Sequence, residues 1–191
     1  MTRIEKESTG GMLRGTPGQT IGPFFKFGLQ YEGDNRIVPP FSPGAVHLEG
    51  HVHDGEGYAI PDCLVEIWGA DSDGTIPTTR GSLHRDDFGF TGWGRCATAD
   101  DGRFHFWTRN PGSVEGKAPY FAVVIFARGL PNKLHTRIYL PDDEELLAAD
   151  PFLQSLTPQE RATLIATRTA DGHLVHDIYM QGEKETVFLA Y

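Results

Sequence analysis

Short runs in which apolar and polar residues alternate recur along most of the chain. Runs rich in Val, Ile, Phe and Tyr, with Gly, Pro or Asp at their borders, predict β-strands. We expect strands over residues 45–53, 63–70, 103–108, 120–128, 134–140, 174–180 and 185–190. Residues 181–184, Gln-Gly-Glu-Lys, predict a hairpin turn between the last two. The pattern therefore predicts a mainly β protein, a single-domain antiparallel β-sandwich with short helices and long loops.

The sequence signals that predict helices are concentrated in the C-terminal third of the chain. Residues 157–160, Thr-Pro-Gln-Glu, form a capping box with Pro at the first helical position, and we expect a helix over residues 158–166. Asp-Pro at 150–151 predicts a short helical turn, and residues 142–147 predict another short helix. In residues 16–25, two Pro and two Gly argue against a regular helix.

Composition supports one folded unit preceded by a tail. The chain has 191 residues, of which 39% are hydrophobic, with 23 Gly and 13 Pro. A chain of this length buries about 70% of its unfolded surface. Residues 1–15 are polar and Gly-rich, which predicts a mobile N-terminal arm, and residues 16–191 are expected to form the β-sandwich domain.

Charge and cysteine usage exclude several classes of function. The net charge of −9 argues against nucleic acid and anionic membranes as partners. No apolar run reaches the length of a membrane span, and the N-terminus has no apolar signal core. Cys63 and Cys96 match no metal motif, and Cys63 opens an apolar run typical of a buried, reduced thiol. A cytoplasmic location is the default expectation.

Two blocks in the middle of the chain carry recognisable motifs. Residues 64–74 read Leu-Val-Glu-Ile-Trp-Gly-Ala-Asp-Ser-Asp-Gly, similar to V-E-I-W-x-A-(D/N)-x-x-G. Residues 92–106 are similar to G-x-G-R-x-x-T-x-x-x-G-x-(F/Y)-x-F. These motifs resemble those of the intradiol ring-cleavage dioxygenases, whose catalytic members hold ferric iron with two Tyr and two His.

The resemblance implies four ligand positions, and none of them carries the residue of the catalytic members. Ile76 stands at the Tyr of G-R-Y, and Val114 at the Tyr of P-G-x-Y. Tyr120 and Ala122 stand at the two His of R-P-x-H-x-H. Ferric iron needs hard anionic donors completed by imidazoles, and aliphatic side chains donate nothing. We therefore expect this chain to hold no metal and to supply no catalytic residue.

The resemblance extends over nearly the whole chain to the non-iron α subunits of hetero-oligomeric family members. It is carried by residues 16–24, 118–119, 126–129, 134–139 and 181–188. It implies an iron-bearing β subunit as partner, with Fe(III) held by that partner and none by this chain. It also implies protocatechuate and O2 at a shared site, where the ring opens to 3-carboxy-cis,cis-muconate.

The same resemblance implies which residues of this chain would line the substrate pocket. These are Thr20, Gly22, Pro23 and Phe24, with Arg137 binding or attracting the substrate carboxylate. Phe24 stands where the family usually has Tyr, so a hydroxyl donor is lost. The alternatives are a packed N-terminal tail without substrate contact and, for Arg137, an exposed strand residue or an interface ion pair.

Two other classes of function compete with the subunit hypothesis. One is a stand-alone β-sandwich module that binds a small molecule and has lost the metal site. The other is an independent metalloenzyme that uses His47, His51 and His53, which lie at even steps in a predicted strand and so share one face.

Overall fold

Two β-sheets form the body of the protein. The computed structural model describes residues 18–78 and 89–190, so the expected arm at 1–15 lies outside the described residues. One sheet has the strand order β4-β1-β8-β7, with β9 also pairing with β1. The other has the order β3-β2-β5-β6. Numbered along the chain, the strands are β1 (Ala45–His53), β2 (Leu64–Trp68), β3 (Trp93–Ala97), β4 (Arg103–Arg109), β5 (Tyr120–Phe126), β6 (Leu134–Tyr139), β7 (Thr167–Arg168), β8 (Leu174–Val175) and β9 (Ile178–Tyr179).

The core lies between the two sheets. Alternate residues of β1, β4 and β5 are buried, because successive side chains of a strand point to opposite faces. Leu48 and Phe104 from one sheet and Phe121 and Ile125 from the other are fully buried in one cluster. The predicted β-sandwich with short helices is therefore confirmed. A second cluster packs Leu147, Leu153 and Leu164 around Tyr139, at the edge of the sheet that contains β6.

Four short helices connect or flank the strands: α1 (Phe24–Gly28), α2 (Glu144–Ala149), α3 (Pro151–Gln154) and α4 (Pro158–Ala162). The predicted capping box at α4 is confirmed, because the Glu160 amide donates to the Thr157 hydroxyl and the Thr157 amide donates to the Glu160 carboxylate. The predicted extension of α4 to residue 166 is wrong. The Tyr139 amide donates to the Leu164 carbonyl at 2.8 Å, so the chain leaves the helix to bond with β6.

The prediction that residues 16–25 contain no regular helix is wrong at its last two positions. Phe24 and Phe25 begin α1, and Pro23 is its N-cap. All the Pro and Gly residues of the segment precede the first helical residue, where they interrupt no helical hydrogen bond.

Strand pairing differs from the prediction in three respects. The first sheet is mixed rather than purely antiparallel, because β8 and β9 run parallel to β1. The expected strand 174–180 is broken between β8 and β9, where the Asp177 carboxylate accepts the His51 amide at 2.9 Å in place of a ladder bond. Residues 185–190 form no strand, although the Glu185 amide closes the predicted turn onto the Gly182 carbonyl at 3.1 Å. Sequence patterns also missed β3 and β7.

Candidate functional site

Two loops at one end of the β2–β5 sheet pack backbone against backbone. A β-carbon on Gly112 would lie 2.4 Å from the Gly74 amide nitrogen, so only glycine allows this approach. The Gly112 amide donates to the Asp71 carbonyl at 2.9 Å. Arg109 Nη1 donates to both carboxylate oxygens of Asp71 at 3.0 Å. These contacts hold the loop that carries Ile76 beside the loop that carries Val114.

The four positions where the resemblance places metal ligands converge on one pocket. The pocket has a volume of about 390 Å³, and its lining includes Trp68, Ile76, Val114, Lys117, Tyr120 and Ala122. Tyr120 and Ala122 project from the outer face of β5, because the residues between them point into the core. Three of the four positions are aliphatic and the fourth offers a single phenol. This donor set does not fit ferric iron, which needs several anionic or imidazole donors.

Arg137 lies beside this pocket in a half-buried aromatic setting. Its cross-strand neighbour is Ala122. The guanidinium lies 4.4 Å from the centre of the Tyr120 ring and 4.9 Å from that of Phe152, and it donates to the Tyr139 hydroxyl at 2.8 Å. Burial opposes its charge, but the Tyr139 hydrogen bond and the electrostatic effects of Tyr139, Tyr120 and Asp150 together outweigh burial, and the pKa of Arg137 is raised. The cation is therefore retained.

The Arg137 guanidinium forms no direct ion pair within the described part of the chain, although the Asp150 carboxylate acts on its charge from farther away. Arg95, Arg103, Arg109, Arg128 and Arg168 each form an ion pair with Asp or Glu. Arg137 instead satisfies part of its donor set with a neutral phenol whose pKa burial raises to about 12. Its setting is therefore neither that of an exposed strand arginine nor that of an ion pair within this chain.

The predicted pocket-lining segment lies at the other end of β5. The Ile21 amide donates to the Leu130 carbonyl at 2.7 Å, and Phe25 stacks on Phe126 with 4.7 Å between ring centres. Thr20, Pro23 and Phe24 are exposed, and Gly22 is half-buried with φ of 72°.

Within this chain the segment and Arg137 do not meet in one cavity. Phe126 packs under α1, and Ala122 is the cross-strand neighbour of Arg137. These two residues of β5 are four positions apart, a separation of about 13 Å along a strand. The segment contributes no residue to the lining of the 390 Å³ pocket. The structure therefore brings the four ligand positions together but leaves Thr20–Phe24 as a separate exposed surface.

The histidines of β1 share a face but do not converge. His47 Nε2 lies 3.3 Å from His105 Nδ1, and the His47 ring contacts Trp107. His51 pairs with Asp177 at 3.3 Å, and His53 stacks on Tyr179. Across residues 18–78 and 89–190, no group of three or more His, Cys, Asp or Glu side chains is arranged to hold a metal ion.

Both cysteines are free and buried, which confirms the prediction of a buried, reduced thiol at Cys63. Burial raises the pKa of Cys63 to about 12 and that of Cys96 to about 11, so both thiols stay protonated and unreactive at neutral pH. In the described portion of the chain, no helix has the length and apolar character needed to cross a membrane.

Sequence reasoning missed the walls of the pocket. Trp68 is 48% exposed at the pocket, although its motif position suggested only family membership. Phe152 reaches Arg137 from α3, which is distant in sequence and gave no signal of this contact. The alternation in β2 could have placed Trp68 on the outer face, whereas only the tertiary structure shows the role of Phe152.

Comparison with known proteins agrees with this geometry. The family model described as dioxygenase matches residues 39–182. The chain is 37% identical to the protocatechuate 3,4-dioxygenase alpha chain of Burkholderia cepacia, over 92% of this chain and 97% of that one. It is 36% identical to the alpha chain of Pseudomonas putida, over 94% and 98% of the two chains. Identity to the Burkholderia cepacia beta chain is 30%, over 73% of this chain and 65% of that one.

Solved structures share the fold. The dioxygenase domain of a carbohydrate-binding fusion protein from Streptomyces sp. SirexAA-E has a TM-score of 0.59 at 23% identity, covering 87% of this chain and 98% of that one. Catechol 1,2-dioxygenase from Acinetobacter sp. ADP1 has a TM-score of 0.53 at 17% identity, covering 75% and 55% of the two chains. The chain therefore belongs to the intradiol ring-cleavage dioxygenase family, and it is similar over nearly its whole length to the alpha chains of protocatechuate 3,4-dioxygenases.

Proposed function

We propose that this chain is the non-iron α subunit of a hetero-oligomeric dioxygenase that opens the ring of protocatechuate with O2 to give 3-carboxy-cis,cis-muconate. The intradiol dioxygenase family uses Fe(III). In this proposal the Fe(III) belongs to a β subunit similar to the beta chain that Burkholderia cepacia has alongside its alpha chain. The chain itself supplies no catalytic residue.

One observation carries the proposal. Ile76, Val114, Tyr120 and Ala122 occupy a single pocket at the positions of the family ligands, yet the pocket lacks a donor set for iron. The fold of a catalytic chain is kept while its chemistry is absent. A chain with these properties needs a partner to take part in the reaction.

The surface of this chain carries exposed apolar and charged groups that such a partner would contact. Phe24 and Phe27 are each 70% exposed, which is a large apolar area to leave in water on a five-residue helix. The exposed Thr20–Phe24 segment would line the partner's substrate cavity, with Phe24 as an aromatic wall that has no hydroxyl. Arg137, which forms no direct ion pair with another described residue, would attract the substrate carboxylate. The reduced cysteines favour a cytoplasmic complex.

Co-expression with a candidate β subunit tests the proposal. We would measure iron content and protocatechuate-dependent O2 uptake for the chain alone and for the co-purified complex. An iron-free, inactive chain that gives an iron-loaded, active complex is the expected result. Stoichiometric iron and activity in the chain alone would contradict it. A monomer that ignores the β subunit but binds a small ligand would favour a stand-alone binding module instead.

A further inference from the structure

The pocket that replaces the iron site is open, apolar and lined by aromatic rings. Its volume of about 390 Å³ falls within the range of about 300–1,000 Å³ that small-molecule sites occupy. Trp68, the last residue of β2, and Ile76, in the loop that follows β2, are 48% and 51% exposed. Both side chains expose apolar surface to water, and a bound molecule would bury that surface favourably.

The shape of the pocket has a local cause. Ile76, Val114 and Ala122 are shorter than the Tyr, Tyr and His that the family motif has at these positions, so side-chain volume is missing on three sides. The backbone around them is held in place by the Gly74–Gly112 approach and by β5. Because the walls do not collapse, the missing side chains leave a cavity instead of a repacked core.

Positive charge lies at the edge of this apolar pocket. Lys117 lines it, and its only ion pair among the described residues is with Glu115 at 3.0 Å, where both side chains are largely exposed. Such a surface pair is weak and exchanges readily. The Arg137 guanidinium lies 4.4 Å from the centre of the ring of Tyr120, which lines the pocket. It forms no direct ion pair in the described part of the chain, and the Asp150 carboxylate acts on its charge from farther away. Two cations beside an aromatic slot favour a planar ligand with one negative charge.

We propose that this pocket is a metal-free binding site for a monocyclic aromatic carboxylate. The ring would lie against Trp68 and Tyr120, with the carboxylate toward Lys117 and Arg137. The site is formed by this chain alone, so the inference goes beyond the subunit function and does not depend on it.

Calorimetric titration of the full chain, prepared without any partner, tests the proposal with benzoate as the charged probe and benzyl alcohol as its neutral counterpart. We expect benzoate to bind with a Kd of about 0.1–1 mM, the level accessible to so small a ligand. Ala122→Phe fills the pocket and should weaken benzoate binding at least about tenfold. Ala99→Phe, the same substitution at an exposed turn, should leave it unchanged. Equal thermal midpoints for the two variants would show that both fold.

The charge preference gives a second readout. The double variant Lys117→Met and Arg137→Met should lose most of the preference for benzoate over benzyl alcohol while it still binds the neutral ring. Absence of benzoate binding, or binding that Ala122→Phe leaves unchanged, would overturn the proposal. Benzoate binding by a chain that never assembles with a β subunit would refute the proposed function and support this site, so the two failures are distinguishable.

Discussion

His176 shows how one buried side chain makes stability depend on pH. It is 5% exposed, and within the described residues its Nε2 has no hydrogen-bond partner. Burial lowers its pKa from 6.5 to about 4. The folded state therefore keeps His176 neutral, whereas the unfolded chain binds a proton as the pH falls below 6.5. Stability from this residue is complete above that pH and is lost progressively down to about pH 4.

We expect the free energy of unfolding to fall by about 2–3 kcal/mol between pH 7 and pH 4.5 because of His176 alone. His176→Gln removes this titration. The free energy of unfolding of the variant should therefore fall by about 2–3 kcal/mol less than that of the original protein over the same pH interval. Urea unfolding of both proteins at the two pH values measures the difference. A decline of equal size in both proteins would mean that His176 is not protonated on unfolding.

Arg137 is the residue whose role the sequence alone left most open. Replacing it with Ala in an assembled complex should raise KM for protocatechuate about tenfold and change kcat little, because a charged hydrogen bond to a carboxylate contributes about 1.5–3 kcal/mol. Arg128→Ala is the matched control, since Arg128 is an exposed cation paired with Asp62. Steady-state O2 uptake gives both constants. An unchanged KM in Arg137→Ala would remove Arg137 from the substrate site.

Among the elements, β1 depends on a glycine that no strand pattern explains. A β-carbon on Gly50 would lie 1.7 Å from the His176 carbonyl oxygen, which belongs to the chain between β8 and β9. The His176 amide donates to the Glu49 carbonyl at 2.9 Å, so the two backbones cannot separate without losing hydrogen bonds. Gly50 therefore allows β8 and β9 to follow β1 in parallel.

Gly50→Ala should destabilise the protein by about 3 kcal/mol, because the methyl group must displace backbone instead of a flexible side chain. Gly18→Ala is the control, since no atom lies within 4 Å of a β-carbon there. Chemical unfolding compares the two variants. A loss of less than about 0.5 kcal/mol in Gly50→Ala, the range of ordinary surface substitutions, would show that β8 and β9 do not pack against β1 in this way.

The same region shows where sequence prediction of elements succeeds and fails. Strand β1 was predicted with its observed bounds, because nine residues alternate between core and surface without interruption. β8 and β9 are two residues each, too short for a period to emerge, and the Asp177 side chain interrupts them. β3 was missed because Gly94 and Ala97 give it a weak strand propensity, whereas its position depends on pairing with β2.

For the site, the sequence located each ligand position by motif, but only the folded chain shows that they face one another. Ile76 and Val114 are far apart in sequence and meet because Gly74 and Gly112 let their loops touch. The open volume they leave could not be predicted, since substitution by smaller residues produces either a cavity or a collapsed core. The positive charge near it depends on Arg137 and Phe152, whose contact is tertiary.

At the scale of the whole molecule, the proposed function separates two surfaces of one sheet. The pocket of this chain lies at one end of β5, and α1 anchors the exposed Thr20–Phe24 segment at the other. In the proposed complex, the pocket itself is formed by this chain alone, whereas Arg137 at its edge and the Thr20–Phe24 segment both face a partner's iron site. A substitution that frees α1 should therefore impair the complex without altering the pocket.

Phe25→Ala tests this separation. It removes the ring that stacks on Phe126 at an interplanar angle of 11°, an interaction that contributes about 1 kcal/mol and fixes α1 on the sheet. We expect KM for protocatechuate in the assembled complex to rise about fivefold. The loosened segment must become ordered when it lines the cavity, and this ordering costs about the 1 kcal/mol that the stacking contributed. Phe27→Ala, in the same helix but 70% exposed, is the control and should change KM less than twofold unless Phe27 contacts the partner. Benzoate binding by the partner-free chain should be the same in both variants. If Phe25→Ala left KM at its original value, the segment would be a packed tail, and residues 20–24 would not line the substrate cavity.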